Sequence, residues 1–352
     1  FLLADEVGLG KTVVAREVIA ELARRRRGEE PFRVYYFGSG RTVTAQNAPR
    51  LCADSESALC DASRPSLMAM SEIPKANVLV FQFTPETAVP RIHGRGRSGV
   101  AIERALLRVL VAKVLRCSLP HKESVRKAFR GAASENGFGQ ALRFCRRQYR
   151  EGRLLPGYGL SDAFRAAARE VFGAGQNEHL SQRLTAEIDK DAKVCVAKLR
   201  EALTRAALRC LPPHLIVFDE FHKYRDRVLA LPGEADKHVF LSLLSSDSRP
   251  AVLLLSATPF RQEQAASRGK EVRADASDFH RLVGFLHGSG AEGEAAFKRC
   301  VDLFAEFERA LAGRQFEALI KIRHALEDHL LRPRMARMER AAFRNGSQAA
   351  AT

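Results

Sequence analysis

The sequence lacks any long apolar run, and none approaches the roughly 18–20 residues that a membrane-spanning helix needs. It also lacks a basic segment followed by an apolar one, the pattern of a signal peptide, and Phe1–Ala4 instead resemble the end of a buried strand. Hydrophobic residues make up 46% of the 352 residues and charged residues 28%, the balance of a soluble globular protein. We therefore expect a cytoplasmic protein with no membrane partner.

Paired cysteines are absent as well. The seven cysteines include no Cys-x-x-Cys pair, their number is odd, and no Cys/His spacing is typical of a zinc site. The pattern argues against a disulfide framework and a metal knuckle, and it predicts buried thiols in a reducing compartment.

Acidic residues are scarce relative to basic ones. The sequence has 57 Lys and Arg against 41 Asp and Glu, a formal net charge of +16. Such an excess predicts attraction to a polyanion, such as a nucleic acid or an anionic lipid surface. An arginine-rich surface that serves solubility explains the same numbers, so composition leaves both interpretations open.

Short apolar segments alternate with helical ones. Strands are expected at Phe1–Ala4, Arg33–Phe37, Asn77–Phe83, Leu215–Phe218 and Ala251–Leu255. Helices are expected from Lys11 to about Arg27 and over Ala45–Leu51. This alternation predicts an α/β fold with a doubly wound parallel sheet, formed by 1–98 and 212–276.

Between 99 and 211 the apolar residues recur only at helical spacing, which predicts a large helical insertion. Its expected helices are Ala101–Leu115, Val125–Ala132, Gln140–Tyr149, Ala163–Phe172 and Leu180–Leu211. Residues 277–352 are predicted to form a helical extension. Its expected helices are Phe279–Leu286, Glu294–Ala312 and Phe316–Leu331, with frayed residues at Phe343–Thr352.

The segment Asp5-Glu6-Val7-Gly8-Leu9-Gly10-Lys11-Thr12 lies between a predicted strand and a predicted helix. Glycines allow successive backbone N–H groups to wrap phosphates, a lysine reaches the β- and γ-phosphates, and a Ser/Thr hydroxyl ligates Mg²⁺. The helix directs its positive end at the same anion. ATP and Mg²⁺ are thus the expected cofactors. The expected ATP-binding residues are Glu6, Val7, Gly8, Leu9, Gly10, Lys11 and Thr12.

A second segment, Leu215–Phe218, runs into Asp219-Glu220-Phe221-His222. A parallel strand that ends in two acids brings carboxylates to the ligand-binding edge of its sheet. Asp219 is expected to hold Mg²⁺ and Glu220 to polarise the attacking water. Taken alone, the two acids are explained equally well by a helix cap, and their pairing with the loop at Lys11 favours the site.

A third segment, Leu253-Leu254-Leu255-Ser256-Ala257-Thr258-Pro259, places small hydroxyl residues at the end of a strand. Such residues suit a hydrogen-bonding relay between a nucleotide site and a moving neighbour. By itself the segment is an ordinary strand exit.

In this order the three segments resemble superfamily-two helicases, and within them the Swi/Snf-type DNA translocases and their bacterial relatives. "LLADEVGLGKT" resembles motif I, including Asp5, and "VFDEFH" resembles motif II with Phe221 where alanine is commoner. "LLLSATPF" resembles motif III. Softer similarities are found in "SGRTVTAQN", "FTPET" and "MARMER".

The resemblance implies the first RecA-like domain of an ATP-driven helicase or translocase. Lys11, Asp219 and Glu220 would be catalytic, and Thr12 and Asp219 would hold the metal. His222 would couple the nucleotide site to Ser256, Ala257 and Thr258. The implied contacts to DNA, or to RNA, are Arg41, Thr42, Thr84 and Pro85.

The resemblance also implies a partner, a second RecA-like domain whose arginine finger stabilises charge on the transferred phosphoryl group. We find no such strand–helix core in this sequence, and Arg332, Arg334 and Arg337 are not set in one. We therefore expect a fragment of a motor that binds nucleotide but turns it over poorly.

Two other classes of protein stay open. A non-motor P-loop regulator of the AAA type would use the helices after Ser277 as a lid. A basic binding module with a vestigial ATP site would use Arg143, Arg146, Arg147 and Arg150, which lie at helical spacing, and His93–Arg97. A solvated helix face explains that arginine spacing too and is slightly favoured on sequence alone.

Overall fold

The structure is a computed structural model. It describes residues 1–4, 10–26, 28, 30–52, 56–60, 62, 64–84, 100–175, 179–229, 250–256, 271–288 and 290–336. The predicted frayed end at Phe343–Thr352 and the loop His93–Arg97 lie outside these ranges.

Seven described strands form an all-parallel sheet in the order β3-β4-β2-β5-β6-β1-β7. They are β1 (Leu2–Leu3), β2 (Phe32–Phe37), β3 (Ser57–Cys60), β4 (Val78–Phe83), β5 (Leu215–Asp219), β6 (Ala251–Leu255) and β7 (Met335–Ala336). The predicted α/β class with a parallel sheet is confirmed, and its finer identity as a RecA-like domain stays a prediction.

Twelve α-helices are described. They are α1 (Lys11–Arg25), α2 (Arg41–Leu51), α3 (Ala101–Lys113), α4 (Glu123–Arg130), α5 (Glu135–Arg150), α6 (Leu160–Val171), α7 (Leu180–Lys190), α8 (Ala192–Cys210), α9 (Arg225–Val228), α10 (Glu271–His287), α11 (Ala291–Ala312) and α12 (Phe316–Leu326). Short 3₁₀ turns lie at Pro65–Met70 and Phe221–Lys223, and a π turn follows α12 at Glu327–Leu331. None of the described helices is long and apolar enough to cross a membrane.

The chain divides into two compact units. The first comprises Phe1–Ala15, Val217–Leu231 and Val252–Thr352, and the second comprises Arg16–Ile216 and Pro232–Ala251. The division into four segments made from the sequence stays a prediction.

In the second unit, β2 pairs with β4 in register from Phe32 opposite Val78 to Phe37 opposite Phe83. Both strands are buried along almost their whole length, as expected of parallel strands covered on both faces. Tyr35 packs edge-on against Phe83, with ring centroids 5.5 Å apart. The aromatic side chains of these two strands therefore form part of the core of this unit.

The helical region of the second unit is built around α8, most of whose residues are buried. The stretch Leu180–Leu211, predicted to be helical, forms two helices, α7 and α8, which are separated at Asp191. The Asp191 carboxylate accepts hydrogen bonds from the backbone N–H groups of Lys193 and Val194, at 2.8 and 3.2 Å. It therefore caps a new helix, while the apolar periodicity continues across the break.

In the first unit, β1 lies between β6 and β7. Leu2 is opposite both Leu254 and Met335, and Leu3 is opposite Leu255 and Ala336. Helices α10, α11 and α12 lead from β6 towards β7 and bury a cluster of apolar side chains. Its buried members are Val283, Ala296, Cys300, Leu303 and Leu330.

Two strands and several helix starts were not predicted. The strand β3 is a short edge strand of sequence Ser-Ala-Leu-Cys, and β7 has two residues, so neither gives a clear period. Helix α2 begins at Arg41 and not at Ala45, and α10 begins at Glu271, before Ser277. Polar residues open both helices, where apolar spacing gives no signal.

Candidate functional site

The start of α1 depends on Gly10. Its φ of +79° lies in the left-handed region, which favours glycine for its backbone rather than for space, since an added Cβ would meet only Val13 at 4.0 Å. The Gly10 carbonyl accepts the N–H groups of Val13 and Val14 at 2.8 and 3.1 Å. It therefore starts the helix directly before Lys11 and Thr12.

Lys11 and Thr12 occupy the first turn of α1, and both are partly buried. That turn contains no acidic residue, so nothing in it opposes the positive end of the helix dipole. This is the environment that a phosphate-binding lysine and threonine require. The preceding loop residues Glu6, Val7, Gly8 and Leu9, with Asp5, lie outside the described ranges.

The two predicted carboxylates follow one another at the end of β5. Asp219 is the last residue of the strand and is buried. Glu220 has φ 54° and ψ 52°, a left-handed backbone that costs an ordinary residue about 1–2 kcal/mol. Such a conformation persists only where the surroundings enforce it, and it is common at functional sites. The Glu220 side chain is 29% exposed, and its Oε2 lies 3.4 Å from His222 Nδ1.

The turn that carries Glu220 and His222 is anchored on both sides. Phe221 is fully buried, so the large side chain found where alanine is commoner is accommodated in the core. Tyr224 is also buried and packs on Phe218, with ring centroids 5.3 Å apart. Arg225 pairs with Asp278 of α10 at 2.9 Å, an anchor that sequence reasoning missed because the two residues are far apart in the chain.

Ser256 follows β6, the strand that lies between β5 and β1. Its backbone N–H donates to the Leu3 carbonyl at 3.1 Å. Its hydroxyl is fully buried and has no hydrogen-bond partner within the described ranges. Burying a hydroxyl without a hydrogen-bond partner costs about 1–3 kcal/mol, so a polar group that reached Ser256 beside β1 would be stabilising. Ala257 and Thr258 lie outside the described residues.

The predicted nucleic-acid contacts lie in the second unit. Arg41 and Thr42 are exposed and open α2 after Gly40. Thr84 follows β4 and is only 6% exposed, which leaves little of its side chain accessible to a strand. Pro85 lies outside the described residues. The role of these residues stays a prediction.

The described residues contain no group of three or more His, Cys, Asp or Glu that could hold a metal ion. A Mg²⁺ bound with a nucleotide needs fewer protein ligands, because phosphate oxygens and waters complete its octahedron. The carboxylate of Asp219 and the hydroxyl of Thr12 are hard oxygen donors of the required kind. The residues present therefore fit Mg²⁺ as a nucleotide-bound ion.

No protein-family model, no curated protein and no solved structure matches the chain significantly. The resemblance to helicase motifs therefore rests on the quoted segments alone.

Proposed function

We propose that this chain is the ATP-binding domain of a nucleic-acid-dependent motor ATPase of the helicase or translocase type. One observation carries the proposal. The ends of β1, β6 and β5, all in the first unit, lead to Lys11 and Thr12, to Ser256, and to Asp219 and Glu220. In parallel strands these ends lie at one edge of the sheet, where ligands bind.

Each residue has a distinct part in hydrolysis. Lys11 and the first turn of α1 bind and neutralise the phosphates, while Thr12 and Asp219 supply oxygen ligands to Mg²⁺. Glu220 orients the attacking water and accepts its proton, and its left-handed backbone fixes the direction of the carboxylate. Bound ATP with Mg²⁺ supplies the transferable phosphoryl group.

His222 connects hydrolysis to movement in this proposal. Its Nδ1 lies 3.4 Å from the Glu220 carboxylate, so a change at the γ-phosphate alters the hydrogen bonding of the imidazole. The buried Ser256 hydroxyl supplies a further polar group at the end of β6. Turnover at full rate would need an arginine finger from a second RecA-like domain, which is worth about 10³–10⁵ in rate.

The test is ATP binding by a Lys11→Ala variant, measured with a fluorescent ATP analogue and Mg²⁺. We expect at least a tenfold weaker affinity, about 1.4 kcal/mol. The control, Lys75→Ala, removes an exposed lysine from the second unit and should bind as the unchanged protein does. Equal affinities of all three proteins would refute the ATP site.

A hydrolysis assay distinguishes residues that act in catalysis from residues that only bind ATP. Glu220→Gln should retain ATP binding and lose the slow turnover that the chain has, measured by phosphate release with and without DNA or RNA. Robust turnover by the isolated chain that Lys11→Ala abolishes would show that no second motor domain is needed.

The AAA-type regulator has less support. Its lid would be formed by α10, α11 and α12. These helices instead lead to β7, which pairs with β1 in the same unit. This connection favours helices that complete the nucleotide-binding unit. ATP-driven oligomerisation without stimulation by nucleic acid would favour the regulator.

A further inference from the structure

Helices α3 and α5 of the second unit border an open cleft of about 940 Å³. The two helices pack together, and the Cys145 thiol of α5 lies 3.6 Å from the Ile102 carbonyl of α3. Basic side chains line the cleft from both helices. From α3 and the turn after it come Arg108, Lys113 and Arg116, and from α5 come Arg143, Arg146, Arg147 and Arg150.

No acidic residue lines the cleft, and none of these seven side chains forms an ion pair within the described part of the chain. Other exposed arginines of the second unit do find acids. Arg165 pairs with Asp162 at 2.7 Å, and Arg209 pairs with Glu170 at 2.6 Å. These paired arginines contrast with the seven cations that line the cleft.

Helix dipoles account for Lys113, Arg147 and Arg150, which lie in the last turns of α3 and α5, but not for the other cations. A helix C-terminus attracts cations within its last turn only. Arg108 and Arg143 lie before the last turns of α3 and α5, which end at Lys113 and Arg150. Arg108 is partly buried. Burial lowers its pKa, and the positive charges of Arg146 and Arg126 lower it further. These cations thus repel one another, and a bound polyanion would relieve the repulsion.

We propose that this cleft binds the phosphate backbone of a single nucleic-acid strand. A concave surface with cations on both walls suits a flexible single strand better than a stiff duplex. Apolar and aromatic side chains between the cations, including Leu142 and Tyr149, offer surface to sugars and bases. The choice of a nucleic acid as the partner rests on the proposed function. Binding of the strand in this cleft, however, requires no ATP.

The test is the binding of a fluorescein-labelled oligothymidylate to the 352-residue chain, followed by anisotropy from about 50 to 200 mM salt. The cleft variant carries Arg143→Gln, Arg146→Gln, Arg147→Gln and Arg150→Gln, all at exposed positions. We expect at least a tenfold loss of affinity at the lower salt. The slope of log affinity against log salt should fall by up to about 2.8, since each phosphate contact contributes about 0.7.

The matched control removes four exposed arginines that already have acidic partners and lie outside the cleft. It carries Arg24→Gln, Arg165→Gln, Arg209→Gln and Arg323→Gln. This control loses the same net charge as the cleft variant. It should keep most of the affinity for the oligothymidylate and most of the slope of log affinity against log salt. Circular dichroism and thermal unfolding verify that both variants fold.

Several outcomes would overturn the proposal. One is wild-type affinity and slope in the cleft variant, and another is an equal loss in the control. A duplex or tripolyphosphate that competes as well as the strand would also sink it, because the cleft would then recognise phosphate charge alone. ATP binding is measured separately on the cleft variant, so strand binding without ATP binding would contradict the proposed function and leave the cleft intact.

Discussion

The two ends of helix α3 carry charged residues in contrasting environments. Near its start Glu103 is fully buried, and its carboxylate lies 3.1 Å from Arg200 Nε and 3.4 Å from Arg64 Nη1. Near its end Arg108 and Lys113 line a cleft to which no described acidic residue contributes. The formal net charge of +16 does not distinguish arginines that pair with a buried carboxylate from arginines that do not. Only those without an internal carboxylate remain available to an external polyanion.

The largest effect should come from Glu103→Ala. Removing this carboxylate leaves Arg200 and Arg64, whose side chains are 4% and 13% exposed, without their counter-charge. Breaking a buried ion pair from one side costs about 3–5 kcal/mol. Urea-induced unfolding of the whole chain measures the loss.

The control for this change is Glu123→Ala on α4. Glu123 is an exposed acid 3.5 Å from Arg126, and such surface pairs contribute at most about 1 kcal/mol. Equal losses in the two variants would mean that burial does not distinguish the charges of this helical region.

A smaller effect should follow from placing a charge on His214. Burial, and then the nearby Arg33, lower the pKa of His214 to about 4. The ring stacks on Phe32, and its Nδ1 accepts the Arg33 backbone N–H at 2.9 Å. The folded protein therefore holds the neutral imidazole, whereas the unfolded chain binds a proton near pH 6.5.

The sign of the pH effect follows from this difference. The stabilisation is complete above about pH 6.5 and is lost as the pH falls towards 4, by about 1 kcal/mol after allowance for partial exposure. Unfolding curves at several pH values should show this loss of stability. In the His214→Gln variant, the contribution of His214 to the pH dependence should be absent. At about pH 8 the histidine is neutral in both the folded and the unfolded state, so the stability of His214→Gln at that pH measures the effect of the altered packing alone. An unaltered pH dependence in His214→Gln would contradict the assignment.

The smallest effect on stability should come from Arg146→Gln in the cleft. This arginine lies beside Arg108 and has no acidic partner within the described residues. Its removal should change the free energy of unfolding by less than about 0.5 kcal/mol, or raise it slightly by relieving repulsion. Arg146→Lys, which keeps the charge, is the control. A loss above about 1 kcal/mol would give Arg146 a structural role and weaken the contrast with Glu103.

The sequence predicts those parts of the molecule that depend on local pattern. Short apolar runs located the strand Ala251–Leu255 at its observed bounds, and the acids of Asp219-Glu220 lie at a strand end as expected. The break at Asp191 depends on a side-chain cap that interrupts no apolar period. Spacing alone indicated the arginines of α5. The arginines of α5 lie close to Arg108 of α3 only because the two helices pack together, although they are separate in sequence.

The candidate site divides in the same way. Residue type and order predicted Lys11, Thr12 and the two carboxylates as a set. The left-handed backbone of Glu220 and the burial of the Ser256 hydroxyl result from tertiary packing around β5 and β6. No local propensity indicates either feature, because glutamate and serine are both ordinary at strand ends.

The position of β1 in the sheet has a consequence for biosynthesis. This strand precedes its partners in the chain, and the Phe1 backbone nitrogen donates to the Val252 carbonyl across 251 positions. At translation rates of about 5–20 residues per second, roughly 12–50 s separate the synthesis of these two residues. The elements between them, from β2 to α8, are contiguous and can fold during that time. The edge of the sheet at which β1, β5 and β6 end, the proposed nucleotide site, therefore forms late, and a nascent chain acquires it only after its helical region has emerged from the ribosome.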